Sequence, residues 1–154
     1  MNQPKAAVII NSFNRLELLR ECLGTLTAAV KGAGKTDEFV VVVYEAGSTD
    51  GSLEWLQTDG QRLDLRVDVL VPGPGDDPSF AAGPNTAAAC AAGRYPRLQY
   101  LIFYETDNQF LGFDPVYRAI FRLLAREGLG ACGFTVRHQD GSPAGTGQPF
   151  PTLL

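Results

Sequence analysis

Two continuous apolar runs, residues 6–10 and 39–44, flank a segment in which Leu16, Leu19, Leu23 and Leu26 recur at helical spacing. Continuous rather than alternating apolarity suits strands buried on both faces, and the periodic segment between them suits a crossover helix. Asn14 is the expected N-cap of that helix, and Gly32 and Gly34 its stop. The reading is a βαβ unit with parallel strands.

The pattern then repeats. Ser48 or Thr49 is expected to cap a short helix carrying Leu53, Trp55 and Leu56, and residues 65–71 alternate as a strand. Residues 72–78, rich in Pro, Gly and Asp, read as a loop. An Ala-rich helix over 85–92 leads to Gly93, and 99–104 reads as a further strand ending in an acidic turn at 105–108. Pro115 opens a helix holding Val116, Ile120, Leu123 and Leu124, which Gly128 ends; 130–137 reads as a last strand. This alternation predicts a three-layer α/β/α sandwich with a mostly parallel sheet, whose ligand site lies beyond the carboxyl ends of the strands. Those ends are 11–15, 45–51, 72–83 and 105–108. The domain is expected over 1–141, followed by a Pro/Gly-rich tail over 142–154 with no period.

At 154 residues, with 45% hydrophobic and 19% charged residues, the chain suits one globular domain. A net charge of -4 argues against a nucleic-acid partner, which a basic surface would recognise. No apolar run approaches the roughly 20 residues of a membrane helix, and the first residues lack a signal peptide's apolar stretch, so no membrane span and a cytoplasmic location are expected. Cys22, Cys90 and Cys132 form neither a disulfide framework nor a Cys-x-x-Cys site and read as buried small hydrophobes. The one histidine, His138, cannot build a multi-His metal site, and no G-x-S-x-G elbow accompanies it.

Neither the dinucleotide fingerprint G-x-G-x-x-G nor the phosphate loop G-x-x-x-x-G-K-[ST] follows the first strand. Asn11, Ser12, Phe13, Asn14 and Arg15 follow it instead, either lining a base or ribose pocket or forming a polar βα loop with an N-cap. Glu45, at the second strand's end, could accept hydrogen bonds from a ribose or a uracil imide; the alternative is a turn rich in capping residues. Glu105 and Asp107 stand at i and i+2 after a buried strand. Such hard oxygen ligands suit Mg²⁺ or Mn²⁺ shared with diphosphate oxygens and water, although an acidic turn alone is usually just solvated.

Taken in order, these segments resemble the family 2 glycosyltransferases of the GT-A fold. Val8-Ile9-Ile10-Asn11-Ser12-Phe13-Asn14-Arg15 is similar to the family's opening strand and Thr-Tyr-Asn-Arg loop, and Glu45-Ala46-Gly47-Ser48-Thr49-Asp50-Gly51-Ser52 to its Asp-Asn-Gly-Ser-Thr-Asp-Gly-Ser segment. Ser79-Phe80-Ala81-Ala82-Gly83-Pro84-Asn85 resembles its Gly-Phe-Ala-Ala-Gly-Asn-Asn stretch, and Phe103-Tyr104-Glu105-Thr106-Asp107 stands where the family has D-x-D. The resemblance implies a nucleotide-diphospho-sugar donor held by Asn11, Ser12, Phe13, Asn14, Arg15, Glu45 and Gly83. It also implies a Mg²⁺ or Mn²⁺ ion on Glu105 and Asp107, and inverting transfer to a saccharide, lipid or protein acceptor.

Departures qualify the match. Glu45 replaces the family's nucleoside-binding Asp and Glu105 the first Asp of D-x-D, each adding one methylene. The family places its acceptor region and catalytic base well beyond the residues that follow Asp107 here, so the resemblance implies a truncated version with no identifiable base. Asp140, the last acidic residue of the chain, reads as a surface turn with Gly141. Two rivals stand: a catalytically degenerate donor-binding or assembly module, and a sugar-phosphate nucleotidyltransferase. The latter is disfavoured because the first loop lacks a Gly-rich, basic phosphate cradle. Phe150, Leu153 and Leu154 in the apolar tail suggest a homo-oligomer or a partner.

Overall fold

The β-branched run after Lys5 forms β1 (Ala6–Ser12), and the valine run forms β2 (Phe39–Glu45), both buried along almost their whole length. In this computed structural model, which describes residues 3–77 and 81–144, the chain divides into two units, one ending at Gly112 and the other starting at Phe113. The first unit also holds α1 (Leu16–Gly32), α2 (Ser52–Gln57), β3 (Arg66–Leu70), α3 (Ala82–Arg94) and β4 (Tyr100–Glu105). The second holds α4 (Asp114–Ala125).

All four strands are parallel, in the order β3-β2-β1-β4. The chain steps from β1 to β2 to β3 in one direction and then returns past them to β4. Right-handed crossovers therefore put α1 and α2 on one face and α3 on the other, giving the expected α/β/α layering. On the α3 face, Ala7, Ile9, Val40, Val42 and Tyr44 pack with Ala87, Ala91 and Tyr95. The small alanines bring the helix close to the sheet. Leu19, Cys22, Leu23, Leu26 and Val30 form the buried stripe of α1, at the spacing read from the sequence. Arg20 of α1 lies over the Trp55 ring of α2, 5.7 Å from its centroid. The described edge strand β4 leaves Leu101 and Phe103 exposed, because α3 covers β1 and β2 instead.

Several expectations need correction. Residues 130–137 form no strand; an isolated bridge between Arg137 and Pro143 is the pairing seen there, and Gly130 and Gly133 weaken any strand tendency. The third helix begins at Ala82 rather than Asn85, and it runs through Gly93 to Arg94. Asn14 does not cap α1, and neither Ser48 nor Thr49 caps α2; both tasks fall to Asp50. Of the cysteines only Cys22 is buried, whereas Cys90 and Cys132 are half-buried. Asp140 does form a turn, its Oδ1 accepting the Ser142 N–H at 2.8 Å. Most of the expected tail, including Phe150, Leu153 and Leu154, lies outside the described residues, as do Ser79 and Phe80. No described helix is long and apolar enough to cross a membrane.

Candidate functional site

A chain that leaves β1 toward β2 and later arrives at β4 on the other side creates a switch point between β1 and β4. Doubly wound sheets ordinarily bind their ligands beyond such a point. The residues expected to bind a donor and a metal flank it.

Strand alternation sorts them into two rungs. Asn11 is register partner to both Tyr44 and Glu105, so these three share the face on which α3 packs. Gly83, in the first turn of α3, lies directly over this rung. A Cβ there would overlap Asn11 Oδ1 and approach Tyr44 Cδ1 to 2.7 Å, so the residue must be glycine for the helix start to seat. Asn11 Oδ1 is buried without a hydrogen-bond partner among the described residues.

The next residues turn to the α1 side. Ser12 pairs in register with Glu45, and both are fully buried, with Thr106 nearly so. The Glu45 carboxylate is engaged by its own turn, Oε2 accepting the Gly47 N–H at 3.0 Å and Oε1 the Ser48 N–H at 2.9 Å. The sequence offered two readings of this carboxylate, a group that meets a nucleoside or part of a turn rich in capping residues; here it is buried and shapes the β2 loop, residue 45 falling on the opposite side of the strand from Tyr44. Gly47, at φ 88°, is the left-handed position that lets this turn close.

The β1 and β2 loops are laced together. The Asn14 N–H donates to Ser48 Oγ at 2.9 Å, while Asn14 Oδ1 accepts the Thr49 N–H at 2.8 Å. Asn14 does this from φ 50°, a left-handed conformation that asparagine tolerates better than most residues. Asp50 Oδ2 accepts the first N–H of α1, that of Leu16, at 2.8 Å, and its Oδ1 accepts from both Ser52 N–H and Ser52 Oγ. Those bonds to the Ser52 hydroxyl and the Leu16 N–H hold the Asp50 carboxyl below the usual range. Between the fixed neighbours Ser12 and Asn14, the Phe13 ring is 54% exposed, and Arg15 is exposed beside it.

The acidic turn is anchored on α1. The Cys22 thiol reaches the Glu105 carbonyl at 3.9 Å, Thr25 Oγ1 accepts the Phe110 N–H at 3.1 Å, and Gln109 Nε2 donates to Glu21 at 2.6 Å. Tyr104 packs against Phe110 with ring centroids 5.1 Å apart. Thr106 is buried by these contacts, which leaves Glu105 and Asp107 exposed on either side of it. No group of three or more His, Cys, Asp or Glu side chains suited to a metal occurs among the described residues. An ion here would draw at most two protein carboxylates and take its remaining ligands from a bound anion and water, which is how Mg²⁺ is ordinarily held beside phosphates.

Asp50 is the residue that sequence reasoning missed. It lies within the Ser48-Thr49-Asp50-Gly51 turn recognised as cap-rich, but its bond to α1 spans 34 positions and no local pattern reports it. No catalytic base emerges among the described residues. Asp140, in the second unit, is committed to Ser142, whose hydroxyl holds its carboxyl below the usual range.

No family model and no curated protein sequence matches the chain. Solved structures do. The mannosyltransferase PcManGT from Pyrobaculum calidifontis, in complex with GDP-Man and Mn²⁺, is similar over 79% of this chain and 32% of its own, with TM-score 0.61 and 20% identity. S. aureus TarS 1-349 in complex with UDP-GlcNAc matches 84% of this chain and 36% of its own, with TM-score 0.55 and 21% identity. The chain thus spans about a third of the length of these structures, and it has the α/β fold of GT-A glycosyltransferases over that part.

Proposed function

We propose that this chain is the nucleotide-sugar-binding part of a glycosyltransferase, one that moves a sugar from a nucleoside-diphospho-sugar to an acceptor hydroxyl with inversion and with a divalent metal. The observation that carries the reading is the convergence at one switch point of the laced β1 and β2 loops with an anchored turn bearing Glu105 and Asp107. The fold shared with PcManGT and TarS supports it, since those structures hold GDP-Man with Mn²⁺ and UDP-GlcNAc.

In this reading the nucleoside lies against Asn11, Phe13, Asn14 and Arg15, with Gly83 admitting the start of α3 close to Asn11. Ser12 and Glu45 act from beneath, as buried supports. Glu105 and Asp107 hold Mg²⁺ or Mn²⁺, which supplies positive charge to the departing diphosphate. No general base or acceptor-binding residue is assigned among the described residues.

A thermal-shift panel of UDP, GDP and dTDP, each with and without Mn²⁺, tests the proposal. Ligand at about 100 times its Kd stabilises the folded chain by about 2.7 kcal/mol. One diphosphate is expected to raise the Tm in the presence of Mn²⁺. A flat response across the panel would count against donor binding.

A further inference from the structure

The Asp50 carboxylate reaches two helix starts at once. Its Oδ2 takes the Leu16 N–H of α1 and its Oδ1 takes the Ser52 N–H and hydroxyl at α2, while Asn14 ties to Ser48 and Thr49 alongside. We propose that Asp50 is a positioning residue for the donor site: by capping both helices with one carboxylate it holds the β1 and β2 loops as a single body, and so fixes where Phe13 and Arg15 stand. This rests on the donor-binding reading above.

The geometry explains why a carboxylate is needed. The two capped groups are N–H donors that approach different oxygens of one side chain, and only a group with two acceptor oxygens serves both. An asparagine offers one oxygen and one NH₂, so it keeps a single cap and turns a donor toward the other N–H. Ser48 and Thr49 do not take the task, since the Ser48 hydroxyl accepts the Asn14 N–H and the Thr49 hydroxyl is turned to Asn14 Oδ1 at 3.5 Å. Phe13 and Arg15, which flank Asn14 and precede Leu16, are exposed at the end of β1. They hydrogen-bond to no described residue of the β2 loop, so their position depends on the lacing at Asn14 and on the cap at Leu16.

Two measurements on the whole chain test this. Amide hydrogen exchange compares wild type, Asp50→Asn and Asp50→Ala over residues 13–17 and 46–53. Titration with uridine, guanosine and the corresponding diphosphates, with and without Mn²⁺, gives affinities for the same proteins well below their Tm. Asp50→Asn is expected to speed exchange at one helix start and Asp50→Ala at both. Asp50→Asn should weaken nucleoside binding by about fivefold, the size of one lost helix cap, Asp50→Ala should weaken it further, and both should leave the ratio of affinities with and without Mn²⁺ unchanged. A purely structural role would lower the Tm without moving the nucleoside affinity. Unchanged exchange at residues 13–17 in Asp50→Ala would overturn the proposal, as would a binding wild type matched in affinity by both variants. A wild type that binds no nucleoside would overturn the donor reading, and this role with it.

Discussion

Asn11 and Glu105 are register partners across the parallel β1 and β4 pair, so the polar end of one strand and the carboxylate end of the other share a rung on the face where α3 packs. The neighbouring rung, Ser12 with Glu45, is buried on the α1 side. One residue of phase thus sets Asn11 and Glu105 on the α3 face and Ser12 and Glu45 on the α1 face.

Gly83→Ala should destabilise the fold by about 1–3 kcal/mol, the usual range for an added group in a packed position. The added Cβ meets Asn11 Oδ1 and the Tyr44 ring, and its neighbours cannot both give way without moving the rung. Urea denaturation checks this through the midpoint. An unchanged midpoint would mean that α3 does not seat over Asn11 as described.

Cys22 should resist alkylation in the folded protein. Burial, with a smaller contribution from the Asp107 charge, pushes its thiol up to about 12, so almost none is thiolate at pH 8. Half-buried Cys90 and Cys132 should take iodoacetamide first. Mass spectrometry of the modified chain reads the order, and rapid native modification of Cys22 would contradict its place beneath Glu105.

Much of the fold was legible from sequence for a simple reason. The runs of β1 and β2 are buried on both faces and the leucine stripe of α1 on one, so burial wrote itself into hydrophobicity. The acidic turn and the polar end of β1 were legible too, since both follow apolar strands. The side of the strand on which Glu45 falls was not, because a fully buried strand shows no alternation to set the phase. The Asp50 bridge was hidden for another reason: it joins segments far apart in the chain. The strand expected over 130–137 failed because its apolar residues are interrupted by Gly130 and Gly133, which local pattern matching tolerated.

Stability should fall in alkali. Burial raises the Tyr95 hydroxyl to about 12, with its bond to Asp68 acting in the same direction, and burial also raises Tyr104 and Cys22. The folded state therefore holds protons that the unfolded chain releases near pH 9.0 for the thiol and 10.0 for the phenols. Their contribution is intact below pH 9 and is lost progressively as the pH climbs toward 12. Urea midpoints recorded from pH 7 to 11 should stay level up to about pH 9 with respect to these groups and then decline. A rise above that pH would reverse the assignment.

In the donor reading, the switch point between β1 and β4 binds a nucleoside diphosphate through a metal on Glu105 and Asp107. Calorimetric titration of UDP and GDP into wild type and into Asp107→Asn, with Mn²⁺ and with EDTA, decides this. Asp107 is exposed, so the variant should fold as the wild type does. The account predicts that one diphosphate binds the wild type at least tenfold more tightly with Mn²⁺, a difference of about 1.4 kcal/mol, and that Asp107→Asn loses this gain while keeping the metal-free affinity. Equal enhancement by Mn²⁺ in both proteins, or no diphosphate binding by the wild type, would contradict it.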